Sequence, residues 1–261
     1  MYQTIQYDQK QGYAVLTLDR PDQLNSFNQA MHDEVMDVFK NQLPGSGVRS
    51  LLITGSGRAF CSGQDLNERK FEADNPPDLR ISLENNYNPL VRQITSLEYP
   101  VICAVNGIAA GAGVGIALAC DIVLAARSAE FILSFSRVGL GMDCASSWSL
   151  PRLVGLPRAM AAALFGDRIS AERAEDWGMI WKCMDDEALL TEATKITESL
   201  SQKPTLALGI IKRELRSAFS NTLEEQLVLE AENQEIAGRS DDYYEGIQAF
   251  FEKRKPDFKG K

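Results

Sequence analysis

Val101-Ile-Cys-Ala-Val-Asn-Gly-Ile-Ala-Ala-Gly-Ala-Gly-Val-Gly-Ile-Ala-Leu-Ala-Cys120 runs from a strand through a glycine turn into a helix. Val101 to Val105 is an unbroken apolar run closed by Asn106-Gly107, the signature of a short buried strand. Ala112 to Cys120 then reads as a helix opened by the Gly111-Ala-Gly113 turn. A strand followed by a helix needs a crossover connection, which sets neighbouring strands largely parallel. The same alternation continues in both directions. Tyr13 to Leu18 and Leu51 to Thr54 read as strands upstream, and Ile122 to Ala125 and Phe131 to Leu133 downstream. Between them, Gln29 to Leu43 places Met31, Val35, Met36, Val38 and Phe39 on one broad helical face. Arg80 to Leu97 is a second helix. From about residue 144 the pattern becomes nearly all helical. Asn221 followed by Glu224 reads as a capping box for a helix through Glu235, and Ser240 as the cap of another ending near Phe251. The expected division is an α/β core over 1–200 and a helical region over 201–261.

Composition narrows the function classes. The chain has 261 residues, 44% hydrophobic, enough for one large core. Its formal net charge is -9, from 27 basic and 36 acidic residues, which argues against nucleic acid as a partner. The five cysteines are Cys61, Cys103, Cys120, Cys144 and Cys183, with no CxxC pair, so neither a zinc site nor a redox motif is expected. Free thiols suit a reducing compartment. Met1 to Lys10 is polar and unlike a signal peptide. The apolar stretches Val114 to Cys120 and Ile122 to Ala126 are too short to span a membrane. A soluble, cytoplasmic protein is the expectation.

Several chemistries can be set aside. The one histidine, His32, lies within the first amphipathic helix and is expected on its surface. No GxSxG, HExxH, P-loop or EF-hand pattern occurs. Gly111, Gly113 and Gly115 miss the dinucleotide spacing, because Ile116 stands at the third glycine. Two glycine turns remain, Gly57 to Leu66 and Asn106 to Gly113, each after a strand. Backbone N–H groups at such turns and helix starts point outward, and two of them can face one oxygen. The same spacing also fits two ordinary strand-to-helix turns.

Ala59-Phe-Cys-Ser-Gly-Gln-Asp-Leu66 and Ala104 to Gly113 resemble the two signature stretches of the crotonase superfamily. Leu18 to Asn25, Cys120-Asp-Ile122, Phe135 to Gly139, Leu150 to Gly155 and Ala174 to Met179 match it in order, so the resemblance covers essentially the whole chain. It implies a ClpP/crotonase-like spiral of ββα units, a C-terminal helical trimerisation region, homotrimers or hexamers, and an acyl-CoA thioester as substrate without further cofactor or metal. By carry-over, the backbone N–H groups of Gln64 and Ala112 form an oxyanion hole. Gly63, Gly111 and Gly113 shape it, and the backbone at Asp65 and Leu66 receives the adenine. Lys253 and Arg254 are candidates to reach a CoA phosphate.

Departures from the family pattern point to the reaction. Hydratases of the superfamily use two glutamates, whose positions fall here on Gly115 and Phe135. The carboxylate in the right region is Asp143, which matches the aspartate of dienoyl-CoA isomerases, of ring-epoxide isomerases in phenylacetyl-CoA degradation and of 4-chlorobenzoyl-CoA dehalogenases. By residues alone, the favoured reading of Asp143 is an N-cap for a helix from Cys144. Ala237 to Gly246, Phe250 to Arg254 and Trp177 to Trp181 resemble the ring-epoxide isomerase group most. The resemblance therefore implies an isomerase with Asp143 as proton carrier, with a dehalogenase-like hydrolase or a non-catalytic binding module as alternatives. Pocket shape is expected to depend on the segment from Arg69 to Arg80, which carries Pro76-Pro77.

Overall fold

A computed structural model describes residues 1–69 and 78–261. Most of the segment from Arg69 to Arg80 lies outside these residues. Two sheets are threaded together. The larger has the order β1 (Ile5–Gln9), β2 (Ala14–Leu18), β3 (Leu51–Gly55), β5 (Val101–Val105), β7 (Ile122–Ala126), β10 (Lys182–Met184). β1 is antiparallel to β2 and the other pairings are parallel. The smaller contains β4 (Ala59–Cys61), β6 (Ile108–Ala110), β8 (Glu130–Ile132) and β9 (Arg168–Ser170), with only the last pair antiparallel.

Each turn of the chain gives one strand to the large sheet and the next to the small sheet, then crosses back through helices. α1 (Gln29–Asp37) precedes the first full turn. After β3 and β4 come α2 (Leu79–Ser82), a π-helical turn and α3 (Asn88–Ser96). After β5 and β6 comes α4 (Ala112–Ala119). After β7 and β8 come α5 (Ser146–Val154) and α6 (Leu156–Phe165). This is the ββα spiral. Every residue of β5 is buried, which is why its sequence is continuously apolar rather than alternating.

Several segments differ from what the sequence predicts. β4 and β6 lie inside stretches that read as plain turns, since three-residue strands are too short to show a period of two. Two short strands, β9 and β10, also interrupt the helical second half, between α6, α7 (Ala171–Asp176) and α8 (Asp186–Ser201).

The chain ends in α9 (Thr205–Ser217), α10 (Leu223–Gly238) and α11 (Asp241–Glu252). The capping box of α10 falls one residue beyond the expected pair: Thr222 accepts from the Glu225 N–H, and the Glu225 carboxylate accepts from the Thr222 N–H. Ser240 caps α11 as expected. A nearly buried ionic cluster fastens α9 to the large sheet. Asp121, at the end of α4, lies 2.8 Å from both Lys212 Nζ and Arg216 Nη2 and accepts the Val101 N–H at 2.9 Å. Burial pulls the Lys212 pKa down, and the Asp121 charge opposes that shift. No helix among the described residues is long and apolar enough to cross a membrane.

Candidate active site

The first glycine turn is held from behind by Leu18 to Asn25. Asn25, fully buried in a left-handed conformation (φ 54°), donates to the carbonyls of Ser56 and Ala59. Arg20 donates to the Asp65 carboxylate at 2.9 Å, and Asn67 donates to it from its backbone and its amide. Burial pushes the Asp65 pKa up, but Arg20 and the Asn67 N–H outweigh it and hold the carboxyl below the usual range. The Asp65 side chain is therefore a brace for the turn. Leu66 is 65% exposed and opens a short 3₁₀ turn, Leu66–Arg69.

Phe27 docks beside Gln64 like a strand: its N–H donates to the Gly63 carbonyl, and its own carbonyl accepts from Asp65. Strand alternation then turns the Gln64 N–H to the opposite side. That side faces the second turn. Gly63 has φ +90°, and a Cβ built there would sit 3.0 Å from the Ala110 carbonyl and 3.4 Å from the Ala112 nitrogen. Gly111 (φ 51°, ψ -121°) adopts a backbone that L side chains rarely reach, and so delivers Ala112 as the first residue of α4. The Ala112 N–H belongs to the opening turn of a helix, where no intrahelical acceptor exists. Gly113 allows close approach, since a Cβ there would overlap the Cys61 carbonyl. The two turns are thus in contact, and a pair of such N–H groups can hold one carbonyl oxygen.

One helical turn further along α4, the backbone meets the loop that carries Asp143. A Cβ on Gly115 would lie 2.5 Å from both the Cβ and the carbonyl oxygen of Cys144. A glutamate at Gly115 is therefore excluded by space as well as by sequence. Phe135, at the other hydratase position, is buried, with its ring edge 4.0 Å from the Cβ position of Gly111. Asp143 does not cap a helix through its side chain. α5 begins at Ser146 after Cys144 and Ala145, both left-handed (φ 49° and 57°), and it is the Asp143 backbone carbonyl that accepts from the Ser146 N–H and hydroxyl. The carboxylate instead interacts with the Cys144 thiol. Burial chiefly, then the Asp143 charge and this hydrogen bond, push the thiol pKa well up, so it stays a neutral donor. One carboxylate oxygen of Asp143 is closed off from solvent.

His32 is not on the helix surface. It is 3% exposed, tilted against Phe27 (ring centroids 4.8 Å) and edge-on to Tyr87 (4.4 Å). The signal was its i, i+3, i+7 spacing with Val35 and Phe39, which puts it on the buried face. The Tyr87 hydroxyl donates to the Gln64 side chain at 3.0 Å, so His32 stands directly behind the first turn. Lys253 and Arg254 lie at the end of α11, where the Arg254 guanidinium is engaged by Glu245 and Glu252. A phosphate there would have to displace these carboxylates. No cluster of His, Cys, Asp or Glu among the described residues is arranged to hold a metal ion.

The family profile described as enoyl-CoA hydratase/isomerase matches residues 8–261. The chain is 51% identical over 253 residues to 1,2-epoxyphenylacetyl-CoA isomerase of Escherichia coli (strain K12), covering 97% of each. It is 44% identical to a probable enoyl-CoA hydratase of Rhodobacter capsulatus, covering 100% of this chain and 99% of that one. The crystal structure of enoyl-CoA hydratase from Bacillus anthracis superposes with a TM-score of 0.93 at 30% identity, covering 99% of this chain and 100% of the other. Fold, site geometry and full-length similarity agree, and the chain belongs to the enoyl-CoA hydratase/isomerase family of crotonase-fold proteins.

Proposed function

We propose that the chain is an acyl-CoA isomerase that moves a double bond from the 3- to the 2-position, converts a ring-1,2-epoxyphenylacetyl-CoA to its oxepin isomer, or does both. The observation that carries this reading is the contact between Gly115 and Cys144: it places Asp143 beside α4 and leaves no space for a hydratase glutamate. The similarity to a 1,2-epoxyphenylacetyl-CoA isomerase supports the same choice.

In this mechanism the thioester oxygen sits between the N–H groups of Gln64 and Ala112. Each contributes about 3 kcal/mol to the enolate-like transition state. Asp143 removes a proton from C2, the electron pair moves into the thioester, and the C3=C4 bond becomes C2=C3 as Asp143 returns the proton to C4. One base serves both ends, so no second carboxylate is needed. The backbone at Asp65 and Leu66 takes the adenine end of CoA, with Gly63, Gly111 and Gly113 shaping the cradle. Coenzyme A is part of the substrate and no other cofactor takes part. The expected setting is cytoplasmic.

The test is a substrate panel. A 3-enoyl-CoA should gain the conjugated-thioester absorbance on mixing, whereas crotonyl-CoA should be hydrated weakly or not at all. Robust hydration with no isomerisation would reject the reading.

The α/β core over 1–200 and the helices over 201–261 are proposed to divide the labour between catalysis and assembly. Leu223, Leu227, Val228, Ile236 and Phe250 are all at least 49% exposed on α10 and α11 or beside them, a large apolar surface for a single chain. Trimers or hexamers are expected. Light scattering at micromolar protein should give at least three times the 28.9 kDa chain mass, and a monomer would contradict this.

A further inference from the structure

Three rings stand behind the first glycine turn, and two of them hold Gln64. Phe27 acts on the backbone: its N–H donates to the Gly63 carbonyl, and its own carbonyl accepts from Asp65. Gly63 itself, with φ +90° and no Cβ, does little to limit rotation at the residue that follows it. A second hold acts through the Gln64 side chain, whose amide oxygen accepts from the Tyr87 hydroxyl at 3.0 Å.

Tyr87 is delivered to this contact by an irregular piece of helix. It ends a π-helical turn, Leu83–Tyr87, directly before α3. Pro89, in the first turn of α3, has no N–H for the carbonyl four residues back, and the register widens by one residue there, so that the Asn88 N–H reaches the Leu83 carbonyl. Asn85 and Asn86 then lie along a cleft of about 370 Å³ that Gln64 also lines, while Tyr87 turns inward and is 1% exposed. Its ring stands edge-on to His32 (4.4 Å) and 6.0 Å from Phe27, with His32 packed 4.8 Å from Phe27. The residue that sets the backbone at Gln64 and the residue that holds its side chain therefore share one rigid cluster. Phenylalanine would fill the same space at position 87. The buried hydroxyl adds a demand for an acceptor, and it meets that demand on the turn.

We propose that Tyr87 is a positioning residue of this site, its hydroxyl holding the Gln64 side chain and thereby aiming the Gln64 N–H at the thioester oxygen. The inference rests on the acyl-CoA reading above and adds a residue outside the two glycine turns. An oxyanion contact strengthens as charge develops on the oxygen, so a misaimed N–H slows the reaction more than it weakens binding.

Tyr87→Phe keeps the ring cluster and removes the hydroxyl. Turnover of a 3-enoyl-CoA should fall about tenfold, part of what a whole oxyanion donor supplies, while affinity for octanoyl-CoA changes by less than about threefold. Gln64→Met keeps the backbone N–H and loses the amide acceptor, so its turnover should fall by a similar factor. The double variant should be no slower than the slower single one, because both substitutions remove the same bond. The direct readout is the infrared stretch of the thioester carbonyl in octanoyl-CoA isotopically labelled at that carbon, which binds without turning over. Binding to the wild-type chain should lower its frequency, and Tyr87→Phe should show a smaller lowering. A role in packing alone would reduce the denaturation midpoint and leave this band in place. Wild-type turnover in Tyr87→Phe, additive losses in the double variant, or a carbonyl band the same as in the wild-type complex would overturn the proposal. A band that depends on Tyr87 in a chain that isomerises no 3-enoyl-CoA would instead refute the isomerase reading and leave the role of Tyr87 standing.

Discussion

Asp143→Asn is expected to lower isomerisation of a 3-enoyl-CoA by about 10²-fold or more, the usual scale for general acid–base catalysis. Three features of the structure shape this expectation. The Asp143 carboxylate caps no helix, because Ser146 is held by the backbone carbonyl instead. An amide of the same size therefore removes the proton carrier with little effect on folding. The carboxylate also meets the Cys144 thiol, whose burial keeps it neutral. In the variant that thiol can donate to the amide oxygen, so the loop geometry has a means of surviving. The proposed thioester and adenine contacts are backbone groups and are untouched, so affinity for a saturated acyl-CoA should change by less than about threefold. The measurement pairs single-turnover absorbance with calorimetric binding. Near-wild-type turnover would remove Asp143 from the mechanism, and lost binding would show that the variant disturbs the cradle itself.

Asp121→Asn is expected to destabilise the fold by about 3–5 kcal/mol, the cost typical of leaving buried cations without their counter-ion. Asp121 is 16% exposed and is shared by Lys212 (9%) and Arg216 (28%), each 2.8 Å away. The amide keeps an oxygen for the Val101 N–H, so the loss isolates the charge. The pH dependence has a definite sign. Burial already depresses the Lys212 pKa, and removing Asp121 depresses it further. Between that lowered value and the ordinary lysine range, the unfolded chain binds more protons than the folded one, so stability of the variant rises as pH rises through that window. Denaturant midpoints at one fixed protein concentration should show the deficit shrinking in alkali, and adding Lys212→Met should recover part of it. An unchanged midpoint in Asp121→Asn would mean that α9 is held by its apolar contacts and not by this cluster.

Asp121 also shows what is legible in sequence and what is not. Cys120-Asp-Ile122 is recognisable as a pattern, but its partners are on a helix about ninety residues away. What the amino-acid order by itself determined is whatever depends on neighbours within a turn or two. The parallel β3, β5 and β7 follow from short apolar runs alternating with helices, and the start of α4 from Gly111-Ala-Gly113. The caps at Ser240 and, one residue out, Thr222 follow from the few side chains that satisfy a helix's first N–H groups. The family motifs brought the candidate residues to Gln64, Ala112 and Asp143.

Only the tertiary structure decided how those residues meet. β4 and β6 gave no periodic signal, because three residues cannot display one, yet their parallel pairing is what brings the Gly63 turn against Ala112. His32 is polar and so read as a surface residue, although its spacing with Val35 and Phe39 put it on the buried face; what covers it, Tyr87 and Phe27, arrives from other parts of the chain. The fit of Gly115 against Cys144 likewise joins two loops with no local relation. Local patterns select a backbone conformation through short-range sterics and hydrogen bonds, whereas a site is a set of distances between distant segments, and those are fixed only when the core packs.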